Sequence, residues 1–286
     1  MNSSGTAAGL GLLSAASWGG SDFIGGLGSR RAPALLVVVS GHIVTLLILL
    51  AICLGTHLAL PGRHDLLFSA VGGFEGALSL ALFYRALAMG AMGLTAALTG
   101  LLTALVPVLY SLIHDGLPTL LTAIGLSVGL AAIWLITHSP EASGSKGKRA
   151  ATPPAALLLG ALAGLGFGTQ LILFKIAAGG SLLWIMTAAR AAGVAAMLLV
   201  LVVIPPKVPW RGFWLFGILA GALDTLGNLL YIQTTRFGRL DVAAMICSLY
   251  PAGTILLAAL VLREWPTRRQ FAGIALALAA VVLLSI

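Results

Sequence analysis

Apolar runs close to twenty residues long follow one another along the whole chain, separated by short joints rich in glycine, proline and charge. A helix of about 20 apolar residues crosses the hydrocarbon layer of a bilayer. The pattern predicts spans at about 7–27, 33–54, 66–89, 94–113 and 118–137, and again at about 154–177, 182–204, 212–235, 241–262 and 267–286. Between the two sets lies the longest polar run, residues 139–154, S-P-E-A-S-G-S-K-G-K-R-A-A-T-P-P. Nothing in it can pack, so it is expected to be a solvated linker.

Residues on its two sides match at a constant spacing of 148: Gly20 with Gly168, Gly73 with Gly221, Pro118 with Pro266, Thr119 with Thr267 and Gly125 with Gly273. Polar positions match too, Asp22 with Gln170, His42 with Arg190 and Arg85 with Gln233. The register predicts two copies of one unit, residues 1–138 and 155–286, forming one integral membrane domain. Five helices is an odd number, so the second copy enters the membrane from the opposite side. The expected fold is an all-α polytopic membrane protein of ten transmembrane helices in two inverted five-helix repeats. Such repeats place a substrate site near mid-membrane at their interface.

Composition agrees with that class. The chain of 286 residues is 59% hydrophobic and 8% charged, with a mean hydropathy of +1.08; a soluble domain carries about 25% charged residues. No polar stretch exceeds the linker, which leaves no room for a soluble catalytic domain. The net charge of +8 belongs to the ends of apolar runs rather than to a nucleic-acid surface. Connections after helices 1, 3, 5, 7 and 9 hold Arg30, Arg31, Lys146, Lys148, Arg149, Lys207, Arg211, Arg263, Arg268 and Arg269; the other side holds Arg63, Lys175, Arg236 and Arg239. This excess puts the linker in the cytoplasm and both termini outside. The start, M-N-S-S-G-T, lacks the basic region of a secretory signal, so the first apolar run is expected to be a retained helix. Cys53 and Cys247 lie inside apolar runs and the five histidines have no ligand spacing, which predicts neither a disulfide nor a metal.

Polar residues inside the spans are the candidates for function, because lipid does not tolerate them. His42 and Arg190 fall at mid-depth in helices 2 and 7. An arginine at the bilayer centre costs roughly 2.5–3.5 kcal/mol on insertion scales, so it needs a polar interior or a partner. Two roles stay open for it: locking helices in an ion pair, or lining a substrate path. In helix 8, Gly217, Gly221, Asp224, Asn228 and Tyr231 step by four and three along one face, and helix 3 sets Glu75 and Ser79 among glycines. Two acids with one arginine and one histidine suggest a mixed-sign site for a zwitterionic solute. Asp22, in W-G-G-S-D-F, either reaches water near its helix end or joins the site, and Gln170 is its counterpart. Thr99 and Thr103 continue a stripe that starts at Thr95, and threonines in spans often bond only their own backbone. Glu264, among Arg263, Arg268 and Arg269, is expected to cap or to pair.

The chain resembles the drug/metabolite transporter superfamily, and within it the EamA-type ten-helix transporters. The resemblance rests on W-G-G-S-D-F, F-Y-R-A-L-A-M-G (residues 83–90), S-L-Y-P (248–251) and R-E-W-P-T (263–267), which leads into a G-I-A-L-A-L-A-A-V-V-L-L tail. It implies a central cavity, alternating access and export of small metabolites across the cytoplasmic membrane. It also implies an acidic residue before the last helix of each repeat. Glu264 fits, whereas Gly116 holds the matching place in the first repeat, with Asp115 beside it.

The expected activity is therefore secondary transport by a monomer or weak dimer, with a small amphoteric or amino-acid-like substrate and protons as the candidate coupled ion, exchange and facilitated diffusion staying open. Membrane lipids are the other partner, with no cofactor and no nucleic acid. A passive facilitator, an exchanger or a lipid flippase is the alternative of the same fold. An intramembrane enzyme would need an aligned nucleophile and base, and neither H-E-x-x-H nor G-x-S-x-G occurs. ATP is not used within this chain, which has no Walker loop.

Overall fold

The computed structural model describes residues 3–29, 31–89, 92–137, 154–205, 212–262, 265 and 267–285. The linker, Arg30, Lys207, Arg211, Arg263 and Glu264 lie outside them, as does the side chain of Thr95. The described residues form helices and joints, with no strand. The first five helices are α1 (Ser3–Ser29), α2 (Ala34–Gly55), α3 (Arg63–Ala88), α4 (Met92–His114) and α5 (Leu120–Thr137). Then come α6 (Pro154–Ile176), α7 (Leu182–Val203), α8 (Trp214–Thr234), α9 (Leu240–Cys247), α10 (Tyr250–Leu257) and α11 (Arg268–Ser285).

Two departures from ten uniform spans have physical causes. Seven stretches among the described residues are long and apolar enough to cross a membrane, with shorter apolar helices at Leu98–His114 and Leu120–Ile136. Helix α1 is not among the seven although it runs for 27 residues, because it is built largely of Gly, Ser and Ala. Small residues let helices approach closely, and α1 packs against α8, α9 and α10. The ninth span is interrupted. Pro251 has no N–H to return to the Cys247 carbonyl, so α9 ends there, α10 restarts at Tyr250, and the span finishes as a π-helical turn, Ala258–Leu262.

The packing repeats itself. Helix α1 lies on α8 as α6 lies on α3; α2 lies on α8 as α7 lies on α3; α1 meets α10 as α6 meets α4. The pairs α2 with α7 and α5 with α11 map onto themselves. The match reaches single residues. Gly41 of α2 sits against Gly221 of α8, and 148 residues along, Ala189 of α7 sits against Gly73 of α3. Likewise Ser79 presses on Gly166 where Trp18 presses on Gly227. Without water to drive apolar burial, such backbone approach is a main source of helix association in lipid. A Cβ on Gly221 would stand 2.5 Å from the Gly41 Cα. Gly221→Ala is therefore expected to lower stability by about 1–3 kcal/mol through overpacking. That loss outweighs the ~1 kcal/mol by which alanine is the better helix former. Thermal unfolding of the purified protein checks it, and an unchanged or raised midpoint would contradict the close approach.

At one end of the bundle the connections after α2, α4, α6 and α8 are tied together. Arg236 donates from Nε to Ala178 O (2.9 Å) and from Nη2 to Gly180 O (2.6 Å). Arg239 donates to Gly116 O (3.1 Å) and pairs with the buried Asp241 at 2.9 Å. Trp184 Nε1 donates to Leu58 O at 2.9 Å, and Lys175 Nζ donates to Thr235 O. The two arginines that run against the charge asymmetry of the sequence are thus held by loop carbonyls, an attachment no loop count registers.

Candidate functional site

His42 and Arg190 occupy matching places in the two halves, and because α2 packs on α7 they meet. Arg190 Nη1 lies 2.9 Å from His42 Nε2. The other ring nitrogen, Nδ1, lies 3.0 Å from Val38 O. A carbonyl only accepts, so Nδ1 carries the hydrogen, and Nε2 keeps the lone pair that receives the arginine N–H. The second arm of the guanidinium, Nη2, donates to Asp224 Oδ2 at 2.5 Å. The Arg190 side chain is 5% exposed and that of Asp224 18%. Three helices are thereby joined through one cation, α7 to both α2 and α8. Asn228, one turn after Asp224, donates Nδ2 to the Asp224 carbonyl at 2.8 Å. Arg190 Nε is buried without a partner among the described residues.

Open space surrounds this triad. A cavity of about 430 Å³ is lined by Asp22 and Asp224 together with Trp18, Phe83, Phe167 and Tyr250. Thr103 contributes to the same wall. The aromatic rings brace one another, Trp18 edge-on to Tyr250 (6.4 Å between centroids) and Phe83 edge-on to Phe167 (6.1 Å). Two smaller cavities adjoin His42. One, about 220 Å³, is bounded by Ser21, His42, Tyr84 and Asp224. The other, about 180 Å³, is bounded by His42, Gln170, Arg190 and Asn228. They are counterparts: a shift of 148 carries Val38, His42, Leu80 and Gly221 of the first onto Met186, Arg190, Asn228 and Gly73 of the second.

The four mid-depth charges do not assemble as the sequence suggests. Glu75 is partly buried against Gly166 of α6 and belongs to none of the ion pairs among the described residues. A helix advances 100° per residue, so its one-residue offset from the counterpart of Asp224, which is Gly76, turns it out of the site. Its place is taken by Asp22. Helix α1 runs on past 27 to Ser29, and Asp22 faces the large cavity rather than the helix end.

Other candidates divide between site and scaffold. Tyr231 is fully buried and donates to Leu171 O at 2.8 Å, tying α8 to α6. Thr103 bonds its own helix at Thr99 O (2.8 Å), but Thr99 donates across to Gly160 O of α6 (2.8 Å), against the local bond expected of it. Phe83, Tyr84 and Phe167 went unmarked in the sequence. No periodicity separates them from lipid-facing aromatics; only the motif F-Y-R-A-L-A-M-G hinted at the first two.

Comparison with known proteins places this geometry. The model of the EamA-like transporter family matches residues 154–286. No curated protein sequence matches the chain. A protein of known crystal structure has the same fold, with a TM-score of 0.74 and 17% identity over 98% of this chain and 96% of that one.

Proposed function

We propose that this multi-pass membrane protein, whose residues 154–286 match the EamA-like transporter family, is a member of the drug/metabolite transporter superfamily that exports small amine-bearing solutes, amino-acid-like or otherwise amphoteric, by alternating access. The family is one of transporters rather than enzymes, and its members act on small solutes within the membrane. One observation carries the choice of solute. Of the two carboxylates in the large cavity, Asp224 is matched by Arg190, whereas Asp22 joins no ion pair among the described residues. The cavity therefore holds one carboxyl group without a fixed counter-ion beside the rings of Trp18 and Tyr250, a setting in which an incoming ammonium group gains an acidic partner and the ring quadrupole.

Two repeats, residues 1–138 and 155–286, account for alternating access. Each half makes the contacts of the other, so exchanging their conformations opens the cavity to the opposite side. The proposed setting is the cytoplasmic membrane with the linker inside. A cysteine introduced at Ser143 is expected to react with a membrane-impermeant reagent only after cells are opened. Labelling in intact cells would reverse the orientation.

The solute class is tested in proteoliposomes carrying the purified protein, with a panel of zwitterionic amino acids, monoamines and dicarboxylates, with and without a proton gradient. Uptake of the amine-bearing members and none of the dicarboxylates is expected. Preference for dicarboxylates would refute the assignment, and uptake that never exceeds equilibration under a gradient would identify a facilitator.

A further inference from the structure

We infer that His42 is a proton-binding site that opens only when Arg190 lets go, so that Arg190 and a proton bind its Nε2 in mutually exclusive fashion. The inference rests on the transporter reading for its purpose, but its test does not. Both ring nitrogens are committed: Nδ1–H faces Val38 O at 3.0 Å and the Nε2 lone pair faces Arg190 Nη1 at 2.9 Å. An imidazolium has two N–H donors and no acceptor. Adding a proton at Nε2 would set one N–H against another, next to a fixed positive charge, so the bound arginine blocks it.

Every group around the ring fits an exchange of one cation for another. Helix α7 presents Arg190 and α8 presents Asp224; α3 presents the Tyr84 hydroxyl and α1 presents Ser21, all around the cavity that His42 lines or in contact with the ring. Asp22 of α1 stands in the neighbouring cavity that shares Asp224. Gln170 of α6 is the polar group on the far side. A buried carboxylate left without a partner is strongly unfavourable, so the Asp224 carboxylate favours a state in which a cation faces it. With Arg190 withdrawn, an imidazolium at His42 supplies it from across their common cavity. Arg190 also borders the cavity with Gln170 and Asn228, whose amide oxygens can accept from its guanidinium, and its Nε is still unpartnered. In the step, a proton from water adds to the Nε2 lone pair, one N–H bond forms, and the ring gains one positive charge. Return of Arg190 reclaims the lone pair and expels the proton. No electron changes hands, and each swing of the arginine loads or unloads one proton.

The test uses full-length protein in bilayers, with ¹⁵N-labelled histidine. The signals of His42 among the five histidines are those that vanish in His42→Gln. The wild type is expected to show protonated Nδ1 and bare Nε2, unchanged from about pH 8 to about pH 5, the range over which an ordinary histidine changes charge. In Arg190→Gln, which keeps the Asp224 carboxylate that an imidazolium would face, His42 is expected to take up a proton within that range; in the double variant Arg190→Gln/Asp224→Asn, which removes that carboxylate too, the ring is expected to stay neutral. Three outcomes would overturn the inference: protonation of His42 in the wild type over the same range, the opposite tautomer in the wild type, or a ring that stays neutral in Arg190→Gln. Transport plays no part in the readout, so a failure of the solute assignment leaves this result standing, and the reverse holds too.

Discussion

Arg190→Gln is expected to lower the stability of the protein by about 3–5 kcal/mol, the usual effect of removing one partner of a buried ion pair. The loss comes less from the missing bond than from Asp224, whose carboxylate remains only 18% exposed with no cation beside it. His42 loses its donor at Nε2 as well. Thermal unfolding in detergent is the measurement, and the decisive comparison is Arg190→Gln/Asp224→Asn. Without the stranded charge, the double variant should regain most of the lost stability, because a neutral pair of similar shape in such a place is often no worse than the ion pair. The sequence left a second role open, with Arg190 taking a substrate carboxylate directly. That role predicts a different pattern: unchanged stability and a loss of roughly 1.5–3 kcal/mol in binding, confined to acid-bearing solutes. Committed through Nη1 to His42 and through Nη2 to Asp224, the guanidinium favours the first pattern.

Asp22→Asn is expected to do the opposite, removing transport while leaving the fold intact. Asp22 lines the large cavity and joins no ion pair among the described residues, so the amide strands no partner. A charge-assisted hydrogen bond to an ammonium group contributes about 1.5–3 kcal/mol, so binding of amine-bearing solutes should weaken roughly 10- to 150-fold. Equilibrium binding to the purified variant separates this from a folding defect, given a midpoint of unfolding within a degree or two of wild type. Unaltered affinity would remove Asp22 from the site. Loss of stability together with affinity would make it a structural residue.

Much of the site was legible before any fold was known, for identifiable reasons. The face Gly217, Gly221, Asp224, Asn228, Tyr231 follows from helical period alone, and each member contacts a neighbouring helix or lines a cavity. His42 and Arg190 were flagged by the cost of polarity in lipid and by their shared register, and they touch each other. Glu75 was the misplaced member. Its sequence offset of one residue from the counterpart of Asp224 looks small on paper but is a rotation of about 100° on a helix. Asp22 was ambiguous because distance to a helix end says nothing about what stands beside that end. The Thr99 bond to Gly160 was invisible for a similar reason, since spacing along one helix cannot reveal an acceptor on another.

By itself, then, the sequence determined the class of molecule, the approximate bounds of its helices, the 148-residue register and the set of residues too polar for lipid. All of these follow from local quantities: the apolar length needed to cross a bilayer, the helical period, and identity at a fixed spacing. Only the tertiary structure decided which of the polar residues meet. It gave Arg190 to Asp224 and His42, left Asp22 facing the cavity without an ion-pair partner among the described residues, and turned Glu75 toward α6. Pairing depends on helix rotation and on which helices adjoin. Those are set by where Gly41, Gly73 and Gly221 allow backbones to close, through contacts between residues far apart in the chain that no local pattern encodes.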